Sequence, residues 1–137
     1  MTTTPDLPRG ESLQVSLTVN DLQASLHWYV DVVGFQADRR IERDGKLRGV
    51  TLSAGAARIT INQDDGAKGK GRPKGVGFSL QISTTQDVDA LARAISQRGG
   101  TLVTEPANMP WGARIFRLQD PDGVAWVISK PLAASPS

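Results

Sequence analysis

Apolar and polar residues alternate strictly over residues 13–19, which predicts a strand with one buried face. Asn20 then offers a helix cap, and apolar residues follow at helical spacing: Leu22, Leu26, Tyr29, Val30 and Val33. Gly34 is expected to end this helix. Two further strands are predicted at 50–53 and 57–61, on either side of an Ala-Gly turn. The first half of the chain therefore predicts a strand, a helix and more strands, in that order.

The same order returns after a segment rich in glycine and lysine, residues 66–75. Alternation from Val76 to Ile82 predicts a strand, Thr84 is expected to cap the next helix, and Gly99 to end it. Two last strands are predicted at 113–118 and 124–129. Matching positions of the two halves lie 63 to 67 residues apart, and the offset changes only where loops can absorb it. The sequence thus predicts an internal repeat.

Each half supplies one substantial helix, so one face of each sheet is left uncovered. We expect an α+β fold of two tandem βαβββ modules, whose curved and mainly antiparallel sheets surround a ligand cleft. The modules are placed at about 12–65 and 75–130, with the glycine-lysine linker at 66–75 between them. Flexible tails are expected at 1–11 and 131–137.

The uncovered faces are predicted to carry polar side chains: Gln14, Ser16, Thr60 and Ser79. A face that is simply exposed to solvent explains this pattern as well as the lining of a cavity does. The internal repeat favours the cavity, because two curled half-sheets form a cleft between them.

Composition narrows the possible functions. The 137 residues are 39% hydrophobic, which is enough to form one core. The sequence contains no long apolar run and no segment that resembles a signal peptide, so we expect a cytoplasmic protein without membrane contact. Because there is no cysteine, disulfides, thiolate ligands and a cysteine nucleophile are excluded. The net charge of +2 comes from scattered residues, so we expect no nucleic-acid partner.

Three segments together resemble the vicinal oxygen chelate superfamily, which includes glyoxalase I, extradiol dioxygenases, fosfomycin-resistance enzymes and bleomycin-binding proteins. The first is residues 19–35, which begin with Val-Asn-Asp-Leu-Gln. The second is residues 111–116, Trp-Gly-Ala-Arg-Ile-Phe, and the third is the turn Asp-Pro-Asp-Gly at 120–123. The resemblance covers roughly residues 12–130, including the duplicated unit.

In the metal-dependent members of that superfamily each half supplies two ligands, and the resemblance places these positions on Gln14, Thr60, Gly77 and Val127. A catalytic divalent ion needs about three imidazole or carboxylate ligands. These four residues offer one amide oxygen and one hydroxyl. We therefore expect no metal, no other cofactor and no catalytic residue.

Four other residues carry side chains that could act in a site. His27, the single histidine, sits between Leu26 and Trp28 on the predicted helix, and a surface role is favoured for it. By resemblance, Trp111 lies in a loop at the pocket mouth, where an indole can stack on a flat ligand or cover the core. Arg114 and Arg117 lie on opposite faces of one strand, and Arg117 is the better pocket candidate because it shares its face with Ile115.

The resemblance implies a metal-free protein that binds a small aromatic molecule reversibly, in the manner of the bleomycin-type resistance proteins, which sequester a toxic compound as homodimers. A homodimer is accordingly expected here. The mildly basic chain favours a neutral or anionic ligand over cationic bleomycin. The sequence leaves two alternatives open: a metal-dependent lyase, isomerase or dioxygenase of the same superfamily, and a protein-interaction module with a vestigial pocket.

Overall fold

The computed structural model describes residues 7–69 and 71–133, which form eight strands and two helices. Parts of both predicted tails, 1–6 and 134–137, and Lys70 of the predicted linker lie outside the described residues. No helix in the described part of the chain is long and apolar enough to cross a membrane.

Two modules follow one another with the same topology. The first contains β1 (Gln14–Val19), α1 (Leu22–Leu26), a π-helical continuation (His27–Val33), β2 (Gln36–Arg43), β3 (Lys46–Ala54) and β4 (Ala57–Gln63). The second contains β5 (Ser79–Ser83), α2 (Val88–Gln97), β6 (Thr104–Met109), β7 (Ala113–Gln119) and β8 (Ala125–Pro131). The sheet orders are β1-β4-β3-β2 and β5-β8-β7-β6. In each, the first strand lies parallel to the last and the other pairings are antiparallel. The predicted fold class is confirmed.

Both helices begin at an aspartate, which corrects two predictions. The side chain of Asp21, not Asn20, accepts a hydrogen bond from the first turn of α1, and Asp87, not Thr84, caps α2. A carboxylate is the stronger acceptor for free backbone N–H groups and also favours the positive end of the helix. Gly34 ends the π-helical segment with φ of 109°, as expected of a left-handed cap.

The strands differ from prediction at their ends. The strand expected from Val76 begins only at Ser79, because Gly77 adopts φ of 82°, outside the β region for an L-residue. Leu13, predicted on the buried face, precedes β1 and is 84% exposed. The sequence pattern does not predict β2 or β6, because their residues are mostly exposed and show no clear alternation of apolar and polar side chains.

One hydrophobic core is shared by the two modules. It combines the helix-facing side chains of both sheets, among them Leu17, Ile61, Phe116 and Ile128, with residues of both helical segments. Arg98, at the end of α2, also donates hydrogen bonds to the carbonyls of Val32 and Val33 in the first module. The sheets are therefore held together through their helix-facing sides.

A buried hydrogen-bond network joins the turn between β7 and β8 to the first module. Tyr29 Oη donates to Asp120 Oδ2 over 2.6 Å and accepts from Trp126 Nε1 over 3.0 Å. Asp120 Oδ1 accepts from the backbone N–H groups of Asp122 and Val124. Tyr29 is fully buried and Asp120 is 5% exposed. Burial raises the pKa of Asp120, and burial together with the Asp120 charge raises the pKa of Tyr29.

Candidate functional site

Each sheet has one side that no helix of its module covers, and we call this side its open face. Since alternate residues of a strand point to opposite sides, the burial of Leu17 and Ile61 against the helices places Ser16 and Thr60 on the open face of the first sheet. The shared core holds the helix-facing sides, so both open faces lie on the outside of the chain. The prediction that they enclose a cleft between them within one chain is therefore wrong.

The open face of the first sheet is polar. Ser16 on β1 lies beside Thr60 on β4, and Gln14 lies beside Arg58. Asn62 Nδ2 donates to Ser16 Oγ over 2.8 Å. Gly49 makes room for this amide, because a Cβ at residue 49 would stand 2.9 Å from Asn62 Oδ1. The hydroxyl of Ser16 is thus fixed as an acceptor while its own proton can be donated to a ligand.

The open face of the second sheet is partly apolar. Arg117 on β7 and Gln81 on β5 flank Val127 on β8. Ser79 lies two residues before Gln81 on β5, beside Ala125 of β8. Val127 belongs to a small cluster with Ala113, Ile115 and Met109. Ala113, Ile115 and Val127 are at most 7% exposed, so a ligand on this face would meet mainly the cationic group of Arg117 and the hydrogen-bonding groups of Gln81 and Ser79.

The six residues predicted to bind ligand fall into three places in a single chain. Gln14, Ser16 and Thr60 share the open face of the first sheet, whereas Ser79 and Arg117 share that of the second. Trp111 occupies the turn between β6 and β7 and is 66% exposed. Neither sheet alone gathers all six.

Two arginines of the first open face were missed by the sequence analysis. Arg58 lies on β4 beside Gln14, and Arg39 on β2 lies beside Thr51, which in turn neighbours Thr60. The alternation that revealed Thr60 also contains Arg58 two residues earlier, so that signal was present. Arg39 was missed because β2 was not predicted, although the Asp44-Gly45 pair signals the hairpin that contains it.

The structure separates the two arginines of β7. Arg114 points to the helix side, where it pairs with Asp89 of α2 through Nε–Oδ2 at 2.7 Å and Nη2–Oδ1 at 2.8 Å. The Arg114 guanidinium lowers the pKa of Asp89. Within the described residues the side chain of Arg117 makes no hydrogen bond or ion pair, so it is the arginine of this strand that can meet a ligand.

The strand register moves one of the predicted metal positions. If Thr60 and Val127 are equivalent, their neighbours Ser16 and Gln81 are equivalent too. Gln14 then corresponds to Ser79, two residues earlier, and not to Gly77. A set of Gln14, Ser79, Thr60 and Val127 still lacks imidazole and carboxylate ligands and does not fit a catalytic divalent ion.

The other residues that the structure describes do not form an alternative metal site. In the described ranges no group of three or more His, Asp or Glu side chains is placed to hold a metal ion. His27 is on the surface, where Nδ1 lies 3.0 Å from Asp31 Oδ2 one turn along the helix. Asp64, from the acidic pair 64–65, is paired with Lys74 of the predicted linker at 2.9 Å.

Comparison with known families gives one match over most of the chain. A sequence model described as the Glyoxalase/Bleomycin resistance protein/Dioxygenase superfamily matches residues 12–128. A comparison with curated protein sequences finds no match.

Several solved structures are similar to this chain. TioX from Micromonospora sp. ML1 has a TM-score of 0.71 at 22% identity, over 90% of this chain and 100% of the other. A superfamily member from Sphaerobacter thermophilus DSM 20745 has a TM-score of 0.69 at 25% identity, over 89% and 98%. A virulence protein from Salmonella typhimurium has a TM-score of 0.68 at 23% identity, over 92% and 100%. These similarities show a common fold.

Proposed function

Because the chain belongs to the Glyoxalase/Bleomycin resistance protein/Dioxygenase superfamily, we propose that it binds a small aromatic molecule reversibly, without a metal, and thereby sequesters a toxic or antibiotic-like compound. The ligand occupies the open faces, where Gln14, Ser16, Thr60, Ser79 and Arg117 supply polar contacts and Trp111 an aromatic surface. The predicted cytoplasmic location is part of this proposal.

The charge of the sheets is the observation that carries the proposal. The six strands β1, β3, β4, β5, β7 and β8 contain no aspartate or glutamate. Their open faces do contain Arg58 and Arg117. The two remaining strands, β2 and β6, carry Asp38, Glu42 and Glu105, so the acidic residues of the sheets are confined to these outer strands. The cationic and hydrogen-bonding groups of the other six strands attract anions and repel cations. This supports an aromatic ligand bearing a carboxylate or another negative group, and it argues against a cationic compound such as bleomycin.

A homodimer would bring the two half-sites together. In one chain the open faces belong to different sheets, and β1 and β5 are edge strands of those sheets. Exposed strand edges are prone to pair with another chain. We place the first open face of one protomer opposite the second open face of its partner, so that Ser16 and Thr60 face Arg117 and Ser79 across one ligand. Sedimentation at ligand-binding concentrations tests this arrangement, and a chain that binds ligand as a monomer would contradict it.

Ligand binding can be tested with matched aromatic probes. A panel of aromatic carboxylates and their neutral amides is titrated while tryptophan fluorescence is followed, since exposed Trp111 is positioned to report. A charge-assisted hydrogen bond contributes about 1.5–3 kcal/mol, so Arg117→Ala should weaken carboxylate binding roughly tenfold or more and leave the amide unaffected. Arg114→Ala is the matched control on the other face. Silence across the whole panel would refute the proposal.

The metal-free part of the proposal has its own test. Elemental analysis of protein purified without chelator is expected to find no stoichiometric divalent metal, because the family's ligand positions hold poor donors here. A stoichiometric content of zinc, nickel, manganese or iron would instead support a lyase, isomerase or dioxygenase activity.

A further inference from the structure

A cavity lies between the modules, away from the open faces. It has a volume of about 650 Å³, within the range of roughly 300–1,000 Å³ found for small-molecule sites. One wall is the segment Val33–Phe35 at the end of the first helical region and the turn Ala54–Ala56 between β3 and β4. The opposite wall belongs to the second module. A molecule bound here would touch both modules.

The floor of this cavity is a row of apolar side chains on the helix-facing side of the second sheet. Ile82, Ile128 and Phe116 are neighbours across β5, β8 and β7 and all three line the cavity. Leu91 and Ile95 of α2 cover them from one side. Since these residues face the opposite way from Arg117, the cavity shares no wall with the proposed aromatic-ligand site.

The mouth of the cavity is polar but uncharged. Residues 83–86, Ser-Thr-Thr-Gln, form one rim. Thr84 Oγ1 already bonds with Gln86 Oε1 at 3.1 Å and accepts from Gln86 N, which fixes the rim. Among the residues that the structure describes, none that lines the cavity is acidic, basic or a histidine. An ion moved from water into such surroundings loses its hydration without gaining a partner.

From this geometry we infer a second binding site for an uncharged, mainly apolar molecule with one hydrogen-bonding end. The apolar body lies on the row of Ile82, Ile128 and Phe116, and the hydroxyl, carbonyl or amine end faces the rim at 83–86. The ligand is chemically distinct from the anionic aromatic compound proposed for the open faces, and the inference does not depend on that proposal.

The probe for this site is N-phenyl-1-naphthylamine, an uncharged dye whose fluorescence rises in apolar surroundings. We expect saturable binding at one probe per chain. Ala56 is exposed at the cavity edge, so Ala56→Phe can fill the mouth without disturbing the core, and it should weaken probe binding at least tenfold. Ala67→Phe, at another exposed alanine that does not line the cavity, should bind the probe like the unmodified protein.

Three results would overturn the inference. Equal probe affinity in Ala56→Phe and Ala67→Phe would show binding elsewhere. Loss of probe binding in Arg117→Ala would place the dye on the open face. An affinity that falls as protein concentration rises would show that a second copy covers the cavity. The aromatic-carboxylate titration distinguishes the two sites, because Ala56→Phe should leave carboxylate affinity unchanged while it weakens binding of the dye. Failure of the open-face proposal would leave the dye result unaffected.

Discussion

Replacing Tyr29 by phenylalanine removes one oxygen from the buried network that joins the modules. The phenol donates to Asp120 over 2.6 Å and accepts from the Trp126 indole over 3.0 Å, so Tyr29→Phe leaves a carboxylate oxygen and an N–H group without their partner. Trp126 is 4% exposed and Asp120 5%, so water cannot readily replace the phenol.

The size of the effect follows from these two lost bonds. A hydrogen bond to a charged group contributes about 1.5–3 kcal/mol, and an unsatisfied buried donor costs about 1–3 kcal/mol. Because both losses share one oxygen they are not additive, and we expect the free energy of unfolding to fall by about 2–4 kcal/mol. For a domain of this size that lowers the melting temperature by roughly 10 °C.

The loss should also depend on pH. Burial raises the pKa of Asp120, while the bond from Tyr29 lowers it. Because the pKa of Asp120 is raised in the folded state, its carboxyl contributes to the free energy of unfolding fully below its ordinary pKa of about 3.9. That contribution is lost as the pH rises through its pKa in the folded protein. Tyr29→Phe removes a donor to the carboxylate and so raises this pKa further. The destabilisation should therefore be larger at neutral pH than near pH ~4.

Urea unfolding followed by tryptophan fluorescence at both pH values measures the effect. Ser25→Ala is the matched control, since Ser25 is equally buried but donates only a 3.3 Å bond to Asp122, and it should lose about 1 kcal/mol or less. The reasoning fails if Tyr29→Phe is no more destabilising than this control, or if its effect is the same at both pH values.

Three further outcomes follow from the ionisable groups. Tyr29 is the only tyrosine, and its pKa is raised. Tyrosinate absorption should therefore appear only on unfolding, and the free energy of unfolding should fall above the ordinary phenol pKa of about 10. Titration of the phenol near that value in the folded protein would contradict this. Arg114→Ala removes the pair with Asp89 and should lower the melting temperature without changing ligand affinity, measured on the same preparation. Lys74 lowers the pKa of Asp64. The ionised pair therefore stabilises the fold above a pH of about 4, and this stabilisation is lost as pH falls. Lys74→Met should flatten the acid side of the plot of urea midpoint against pH, whereas an unchanged slope would refute the pairing.

Strands with one buried face could be predicted from the sequence, and the mostly exposed strands β2 and β6 were not. The alternation that gives β1 exists because Leu17 and Val19 must be buried while Ser16 and Thr18 need not be. In β2 only Ile41 is even partly buried, so burial imposes no pattern on it. Its place is determined by the hairpin that it forms with β3 through the turn Asp44-Gly45. The Asp-Gly pair is a local signal for such a hairpin, and the sequence interpretation did not use it.

The candidate site divides in the same way. Alternation placed Ser16, Thr60 and Arg117 on the correct faces, because side-chain direction in a strand depends only on parity. The arrangement of these faces depends on how the modules pack, and that depends on Tyr29, Arg98 and the Asp120 turn, whose contacts span 65 to 102 residues. Spacing along the chain carries no information about such contacts.

The contacts of the shared core and the ligand contacts that we propose for the open faces lie on opposite sides of the two sheets. The shared core, the Tyr29 network and the Arg114–Asp89 pair all lie on the helix-facing sides, whereas the family's metal positions lie on the open faces. A substitution at Gln14 or Thr60 therefore changes the proposed site without removing a contact of the shared core. Val127 is different, because it packs with Ala113 and Ile115. A buried carboxylate restored there would need Arg117 as its partner, and it would occupy the same guanidinium that we assign to the anionic ligand.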